Sequence, residues 1–553
     1  MMQKQDLLSL IEACRSARQL RQLHGLMIAT ALVHDVVPLS RLIDFCVDSR
    51  HRDIAYARAL FARVPAPTTY MWNSVIRGLS DGDEPEAALA LYADMLRHGR
   101  SPDHFTFPFA LKACSRVPDP SFGRCVHGRV VKAGYEADVY VSSTLIYMYV
   151  SSGDIPSATS LFRNAVNRNI VTWTTMIAGY AENDRAGEAI RLFSEMELEG
   201  VEPNEITMVH VLVACAQSRD LENGRRIHAR LRRAGADSIP SNLVLATALL
   251  DMYARCGSLK TARHLFDKMS VKNEVSWNSM ISGYNQYGRP SEVLQLFKEM
   301  RDAGLKPDKV TLLSLLGACA DIGALRLGQE IHACVEKTIG RGDVAIGTSL
   351  VDMYAKTGDA QSALQVFASL EGRKDVMAWS SMILGLATHG HGKEAIDLFV
   401  EMTQHGVAPD YITFIGVLTA CSHAGMVDEG CKYLEAMEKL YGMEPWMEHY
   451  GCVVDLLSRA GRLAEAERIV RSMPIEPSSM IWSSMLSGCD IHGDVALAER
   501  IGDQLAQSKP HGSGTSVLIS NIYAGAGRWQ EVDKARRLMW KKGLKKAHGC
   551  SSI

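Results

Sequence analysis

Histidine and cysteine are the residues of this chain best suited to hold a metal or attack a substrate, and the sequence has 18 His and 13 Cys. A zinc-dependent hydrolase needs closely spaced His, Cys and Glu side chains, and a redox site needs two neighbouring thiols. No His is followed two positions later by Glu, and no two Cys have C-x-x-C spacing. A G-x-x-x-x-G-K-[ST] phosphate loop is also absent. The sequence therefore predicts no catalytic residue, no metal, no cofactor and no enzyme activity.

Short polar side chains recur in pairs that could bind a ligand through hydrogen bonds. The pairs are Asn73 with Asp103, Ser143 with Asn169, Thr174 with Asn204, Thr247 with Asn273, Asn278 with Asp308, Thr348 with Asp375, and Ser380 with Asp410. Small polar residues are indifferent helix formers, so helix propensity does not explain the first member of each pair. Asp and Asn are frequent helix N-caps, so capping of the following helix remains an alternative explanation for the second member.

The pairs follow an internal repeat of about 102 residues. Near-copies of one phrase begin at Trp72, Trp173, Trp277 and Trp379, with separations of 101, 104 and 102 residues. Each period divides into three units of about 35, 35 and 31 residues, and the paired residues are the fifth and last of the first and third units. The units are 36–68, 69–103, 104–138, 139–169, 170–204, 205–242, 243–273, 274–308, 309–343, 344–375, 376–410, 411–446 and 447–478.

Each unit has the apolar spacing of two amphipathic helices. Trp173, Met176, Ile177 and Tyr180 lie at i, i+3, i+4 and i+7, and a second stripe follows a turn. A helical hairpin of this kind buries its apolar face only by stacking on its neighbours, so the array predicts an all-α solenoid of about 30 helices. No apolar run is long enough to span a membrane. The net charge of −2 excludes a uniformly basic nucleic-acid binder.

These motifs resemble those of plant pentatricopeptide repeat proteins, in the subclass that alternates P, long (L) and short (S) repeats. The phrases WNSMISGY, LLGACA and LVDMYAKTGD open the three kinds of unit. The resemblance implies a right-handed α-solenoid with a tetratricopeptide-like C-terminal extension. Its parts are a degenerate N-terminal long repeat at 1–35, the array at 36–478, an E extension of two helical hairpins at 479–546, and a truncated tail at 547–553. Members that catalyse carry a C-terminal deaminase domain called DYW, and this sequence has no motif of one.

In this family, the fifth and last residues of a repeat contact one RNA base, and the second residue inserts between bases. The resemblance therefore assigns base reading to the seven pairs above. The second residues of the P repeats are Tyr70, Val171, Val275 and Met377. Packing in the core remains an equal alternative for these four. The fifth residues of the long repeats are apolar and leave their bases unspecified: Pro108, Val209, Leu313 and Ile415.

The resemblance implies an RNA-binding protein of a mitochondrion or chloroplast that recognises sites for C-to-U RNA editing. The deaminase would be a DYW-type protein supplied in trans, acting with organellar editing cofactor proteins. An organelle splicing or RNA-stability factor and a protein-interaction scaffold are the alternatives. The N-terminal residues enter the repeat pattern almost at once and make a weak transit peptide.

Overall fold

The computed structural model describes residues 4–30, 32, 35–47, 53–233, 242–340, 342–370, 372, 374–507 and 513–541. The predicted tail at 547–553 and the end of the predicted extension at 542–546 lie outside these residues. The described residues contain α-helices and no β-strand. The chain divides into two compact units, Met1–Gly283 and Tyr284–Ile553.

The first unit is a run of helical hairpins. Its helices are α1 (Lys4–Glu12), α2 (Ala17–Ala29), α3 (Val36–Val47), α4 (Ile54–Phe61), α5 (Thr69–Asp81), α6 (Pro85–Arg97), α7 (Thr106–Cys114), α8 (Pro120–Ala133), α9 (Val139–Ser151), α10 (Ile155–Asn164), α11 (Ile170–Glu182), α12 (Ala186–Leu198), α13 (Glu205–Ser218), α14 (Leu221–Arg233), α15 (Leu243–Arg255), α16 (Leu259–Lys268) and most of α17 (Glu274–Gln286).

The second unit continues the same pattern to the C-terminal extension. Its helices are α18 (Pro290–Asp302), α19 (Lys309–Ile322), α20 (Leu325–Thr338), α21 (Val344–Thr357), α22 (Ala360–Ser369), α23 (Val376–Thr388), α24 (Gly392–Gln404), α25 (Tyr411–Ala424), α26 (Val427–Lys439), α27 (Met447–Arg459), α28 (Leu463–Ser472), α29 (Ser479–His492), α30 (Val495–Gln507), α31 (Ser513–Gly525) and α32 (Trp529–Lys541).

Within each unit, the odd-numbered helices form one layer and the even-numbered helices form the other. Successive odd-numbered helices pack against each other, as α9 does against α11 and α23 against α25. Even-numbered helices lie against the odd-numbered helices beside them in sequence, as α12 does against α11 and α13. This two-layer arrangement buries the apolar stripe of every hairpin.

The repeated Trp residues lie in the core between successive hairpins. Trp173 is fully buried and meets the ring of Phe162 edge-on, with centroids 4.8 Å apart. Trp379 makes the same contact with Phe367 at 4.8 Å. Edge-to-face pairs of this kind add stability beyond the area that they bury. The sequence prediction that these Trp residues are core residues is therefore confirmed.

The odd-numbered helices can approach one another closely because the repeated motif that begins at each Trp contains a glycine. A Cβ added at Gly179 would lie 2.6 Å from Cγ1 of Val150 on the preceding odd helix. A Cβ added at Gly385 would lie 2.3 Å from the Cβ of Ala355 and 3.1 Å from its Cα. The absence of a side chain at these positions allows the inner layer to pack helix against helix.

The recurring His residues pair with the recurring Tyr residues. Nδ1 of His127 lies 2.9 Å from the hydroxyl of Tyr149, and His332 makes the same contact with Tyr354 at 3.0 Å. Burial lowers the pKa of His127 and raises that of Tyr149, which favours the neutral form of both. These His residues join a long unit to the following short unit, so their role is in packing.

Candidate nucleic-acid interface

The last residue of each of the seven pairs caps the first helix of the next unit. Oδ1 of Asn169 accepts the backbone N–H of Thr172 at 2.9 Å. The equivalent distance from Asp375 to the N–H of Ala378 is also 2.9 Å. The same cap bond is made by Asp103, Asn204, Asn273, Asp308 and Asp410. Helix capping is therefore one role of these last residues.

Capping extends to the long units, which the sequence interpretation had set apart. Asp138, Asn242 and Asp343 end three of the long units and cap α9, α15 and α21. The last residue of a unit therefore does not by itself distinguish the long units from the others. The fifth residue does, because Pro108 and Leu313 are apolar and half-buried while the fifth residues of the P and short units in the seven pairs are polar.

Only one of the two terminal side-chain atoms is used for capping. A backbone N–H needs an acceptor, so the cap atom is Oδ1 in both Asp and Asn. Among the described residues, Oδ2 of Asp103, Asp375 and Asp410 has no hydrogen-bond partner in the protein. Nδ2 of Asn169 and Asn204 likewise has no partner there. An Asp therefore keeps an acceptor for a ligand, and an Asn keeps a donor.

In the first P unit, the fifth and last residues are hydrogen-bonded to each other. Nδ2 of Asn73 donates to Oδ1 of Asp103 at 3.0 Å. The hydroxyl of Thr106 lies 2.7 Å from Oδ1 of Asn73 and 2.9 Å from Oδ1 of Asp103. Burial raises the pKa of Asp103, but hydrogen bonds from Thr106 and Asn73 outweigh it and leave the pKa below its usual value.

Two other P units use a threonine in the same way. Oγ of Ser380 lies 3.0 Å from Oδ1 of Asp410 and 2.7 Å from Oγ1 of Thr413. Thr174 is joined to Asn204 through Thr207, by contacts of 2.7 and 2.8 Å. The sequence interpretation missed this threonine, the third residue of every long unit. Its signal was the phrase D/N-x-x-T at the unit boundary: Thr106, Thr207, Thr311 and Thr413.

Short units differ from P units. The hydroxyl of Thr247 donates to the backbone carbonyl of Leu243 at 2.7 Å, and that of Ser143 donates to the carbonyl of Val139. The structure therefore does not join these two to Asn273 and Asn169, because back-bonding within the helix satisfies the hydroxyl proton. Thr348 is the exception, since its hydroxyl lies 3.3 Å from Oδ1 of Asp375.

The fifth and last residues of the units differ in how exposed they are to a ligand. Asn73 is 6% exposed and Ser380 is 2% exposed. Asp375 and Asn204 are exposed, and the last residues of the other P and short units are half-buried. In the first and last P units, the last residue is thus the more accessible member of the pair, and the fifth residue holds it in place.

The second residues of the units form a row of half-exposed apolar side chains beside the caps. Tyr70 is 47% exposed, Val171 and Val275 are each 57% exposed, and Met377 is 56% exposed, so none of the four is a core residue. The sequence interpretation limited this row to the P repeats. The structure extends it to exposed residues of the long and short units: Phe105, Tyr140, Ile206, Val244, Val310 and Ile412.

Basic residues precede the caps at the ends of three short units. Arg168 lies over the rings of Phe162 and Trp173, at 5.3 and 5.7 Å from their centroids. Lys374 lies 4.2 Å from the ring centroid of Phe367, and Lys272 holds the same place before Asn273. Arg168 also pairs with Glu199 at 2.7 Å. Positive charge is therefore held beside the caps by cation–π contacts.

The final unit of the array has no reading pair but an open cavity. Its fifth residue is Gly451 and its last residue is Ser478. A cavity of about 300 Å³ is lined by both of them and by Met480. Oγ of Ser478 is buried without a hydrogen-bond partner among the described residues.

The described residues contain no group of three His, Cys, Asp or Glu side chains that could hold a metal ion. Burial raises the pKa of Cys114, Cys215 and Cys421 to about 12, which keeps these thiols protonated and unreactive. In the part of the chain that the structure describes, no helix is long and apolar enough to cross a membrane.

Stacked helical hairpins with a row of polar caps on their first helices define an α-solenoid repeat protein. The PPR repeat family matches residues 67–116, 168–217, 272–321 and 374–423, and the PPR repeat matches 244–273, 348–374, 412–441 and 448–476. The E motif matches residues 492–553. The chain belongs to the pentatricopeptide repeat family, in its P-, long- and short-repeat subfamily with an E motif, as its sequence motifs predicted.

Relatives from Arabidopsis thaliana match over nearly the whole chain. A putative pentatricopeptide repeat-containing protein is 49% identical over 99% of this chain and 98% of the relative. A chloroplastic member is 40% identical over 99% of this chain and 78% of its own length. A mitochondrial member is 37% identical over 99% of this chain and 85% of its own length.

A solved structure also matches the fold. The pentatricopeptide repeat protein PPR10 of maize, in complex with an 18-nt psaJ RNA element, aligns with a TM-score of 0.61 at 20% identity. The alignment covers 96% of this chain and 82% of PPR10. The predicted all-α solenoid of tandem hairpins is thus confirmed.

Proposed function

We propose that this chain is a sequence-specific single-stranded RNA-binding protein of an organelle and selects sites for C-to-U RNA editing. The observation that carries the proposal is the hydrogen bond between a polar fifth residue and a cap residue whose second terminal oxygen has no partner, as in Ser380 and Asp410. A protein-interaction scaffold has no need for a fifth column that changes from polar to apolar in phase with unit type. The RNA complex of PPR10 supports the same reading.

The unpartnered atoms of the caps described above explain how bases would be distinguished. Uracil and guanine carry a ring N–H on their Watson–Crick edge, whereas adenine carries an acceptor nitrogen there. Oδ2 of Asp103 or Asp410 would accept the proton of a uracil or guanine. Nδ2 of Asn169 or Asn204 would donate to adenine. The fifth residue then decides between uracil and guanine, with Asn favouring uracil and Ser or Thr favouring guanine.

The seven pairs give an expected RNA element, read with its 5′ end at the N-terminal units. Asn73 with Asp103 specifies U, and the pairs ending in Asn169, Asn204 and Asn273 specify A. The pair Asn278 and Asp308 specifies U, and the pairs ending in Asp375 and Asp410 specify G. The element is 5′-U-N-A-A-N-A-U-N-G-G, followed by about five unspecified bases and then the edited C.

The row of second residues would separate successive bases. Its members are half-exposed and apolar or aromatic, so they can pack against the faces of neighbouring bases without reading their identity. Tyr70 and Tyr140 offer rings for stacking, and Val171, Val275 and Met377 offer aliphatic surface. Arg168 and Lys374, next to the caps, would attract the phosphates.

Editing is favoured over splicing or RNA stability because the E motif follows the array. The proposal includes a DYW-type deaminase and organellar editing cofactor proteins as partners in trans, docked on the extension at 479–546. Chloroplastic and mitochondrial relatives support a place in one of the two organelles. The protein itself would be non-catalytic, with no metal and no cofactor.

Binding to RNA is tested by mobility shift with the expected element and a scrambled control of equal length. The element should bind at least tenfold more tightly, since each correctly read base contributes about 1–3 kcal/mol. Combining Thr247→Asn with Asn273→Asp should shift preference at that position from A towards U. Equal loss of affinity for every sequence would make these residues structural.

The editing role is tested by deleting residues 479–553 and by sequencing organelle transcripts. The deletion should abolish editing at the target site while leaving RNA affinity nearly unchanged. Purified full-length protein should bind RNA, contain no stoichiometric zinc and leave cytidine unchanged. Deamination by the purified protein would overturn the proposal that the deaminase acts in trans.

A further inference from the structure

One long unit ends in an aromatic residue where the others end in a polar cap. Units 104–138, 205–242 and 309–343 end in Asp138, Asn242 and Asp343, whereas unit 411–446 ends in Trp446. The indole of Trp446 stacks on Tyr411, with ring centroids 4.1 Å apart and planes 6° from parallel. Trp446 is 47% exposed. One face of the indole is covered by Tyr411, and much of the remaining side-chain surface is open.

A buried histidine holds the stacked pair in place. The backbone N–H of Trp446 donates to Nδ1 of His449 at 2.9 Å, and Nε2 of His449 lies 2.8 Å from the carbonyl oxygen of Tyr411. His449 is fully buried, and burial lowers its pKa. A neutral imidazole with its proton on Nε2 satisfies both bonds. The two aromatic residues are thereby fixed through their backbones.

The pair lies in the row of caps and second residues. Tyr411 directly follows Asp410, whose side chain bonds to Ser380, and directly precedes Ile412 of the exposed second-residue row. Trp446 occupies the last position of its unit, where the other long units of the array place Asp138, Asn242 and Asp343. The stacked pair therefore faces the same path as the reading pairs and lies one unit beyond the last of them.

We propose that Trp446, supported by Tyr411, stacks on the nucleobase of single-stranded RNA that faces unit 411–446. This inference rests on the proposed RNA-binding function. The face of an indole accepts any of the four bases, because every base has a π-face. The site would add affinity without sequence preference and would fix the path of the RNA between the last reading pair and the edited C. Since Tyr411 and His449 already orient the ring, little order would be lost on binding.

The test pairs three protein variants with abasic RNA. The probe is the expected element, extended to the edited C, with a single abasic nucleotide moved through successive positions. Wild-type protein should lose about tenfold in affinity when the abasic nucleotide faces unit 411–446, the size expected for one base stacked on an aromatic ring. Trp446→Leu should bind the intact RNA about tenfold more weakly and be insensitive to the abasic nucleotide there. Trp446→Phe and Trp446→Tyr should retain most of the wild-type response.

The controls separate this inference from the function on which it rests. An abasic nucleotide facing unit 309–343, which ends in Asp343, should affect wild type and Trp446→Leu equally. Wild type should first be shown to distinguish the element from scrambled RNA. If the abasic nucleotide then lowers the RNA affinity of wild type and of Trp446→Leu by the same factor at every position, the stacking proposal is wrong. Loss of binding to a protein partner by Trp446→Leu, with RNA affinity unchanged, would also overturn it. Failure of wild type to distinguish the two RNAs would overturn the proposed function itself.

Discussion

Oγ of Ser380 lies 3.0 Å from Oδ1 of Asp410, although 30 residues separate them in the sequence. The contact crosses from the first helix of one hairpin to the cap of the next, and Thr413 completes it at 2.7 Å from Ser380. One oxygen of the carboxylate is thereby committed to the protein, and the other is left for a ligand. The stacking of the repeats and the proposed reading of a base therefore depend on the same carboxylate.

Replacing the core Trp173 with Ala should destabilise its part of the solenoid by about 3–5 kcal/mol, because the side chain is fully buried and packs edge-on against Phe162. Hydrogen exchange of α11 measures this locally, which suits a repeat array whose hairpins unfold separately. Trp529→Ala is the matched control, since Trp529 is 68% exposed and should cost less than about 0.5 kcal/mol. Equal protection in both variants would contradict the assigned core.

Thr413→Val should weaken the junction between α23 and α25. Thr413 is fully buried, and its hydroxyl lies 2.7 Å from both Asp410 and Ser380. Removing the hydroxyl leaves buried polar groups with fewer partners, at a cost of about 1–3 kcal/mol. Exchange of the first amides of α25 should accelerate. Thr413→Ser keeps the hydroxyl and should preserve most of the protection. If the Val variant is as protected as wild type, the hydrogen-bond network contributes nothing to the stability of this junction.

Periodicity predicted the helices, their pairing into hairpins and the burial of the Trp residues, because each is a local pattern of i, i+3 and i+4 apolar positions. The Thr106 and Thr413 networks could not be derived in the same way. They join residues 33 positions apart, and their distances depend on how two hairpins stack. The stacking of Trp446 on Tyr411 was missed for the same reason.

The extent of the exposed second-residue row also needed the structure. At the start of an amphipathic helix, one residue can face the core while its neighbour faces the surface. An error of one residue in the predicted helix start therefore changes the assignment, and helix ends are the least certain part of a sequence prediction. The sequence therefore left Tyr70 and Val171 undecided between packing and contact with a ligand. Their exposure of 47% and 57% decides against core packing.

The stability contributed by Asp103 should fall in acid. Its folded pKa lies below the ordinary value of 3.8, so the contribution is fully present above that value and is lost as the pH falls through the folded pKa. Hydrogen exchange of α7 in wild type and Asp103→Asn, measured between pH 6 and about pH 3, should show a difference in local stability that shrinks below pH 4. A difference that grows on acidification would contradict the hydrogen-bond assignment.

Asp410→Asn provides the most direct test of base reading by the free atom of the cap. The variant keeps the cap oxygen but replaces the free Oδ2 acceptor with an amide donor, and Asn caps helices about as well as Asp. Competition binding should compare two RNAs that differ only in G or A at the base facing unit 376–410. Wild type should prefer G by about tenfold, and Asp410→Asn should prefer A. Asp138→Asn, a cap change in a long unit with the apolar Pro108, should change neither preference. Retention of the G preference by Asp410→Asn, or equal weakening with both RNAs, would contradict the account.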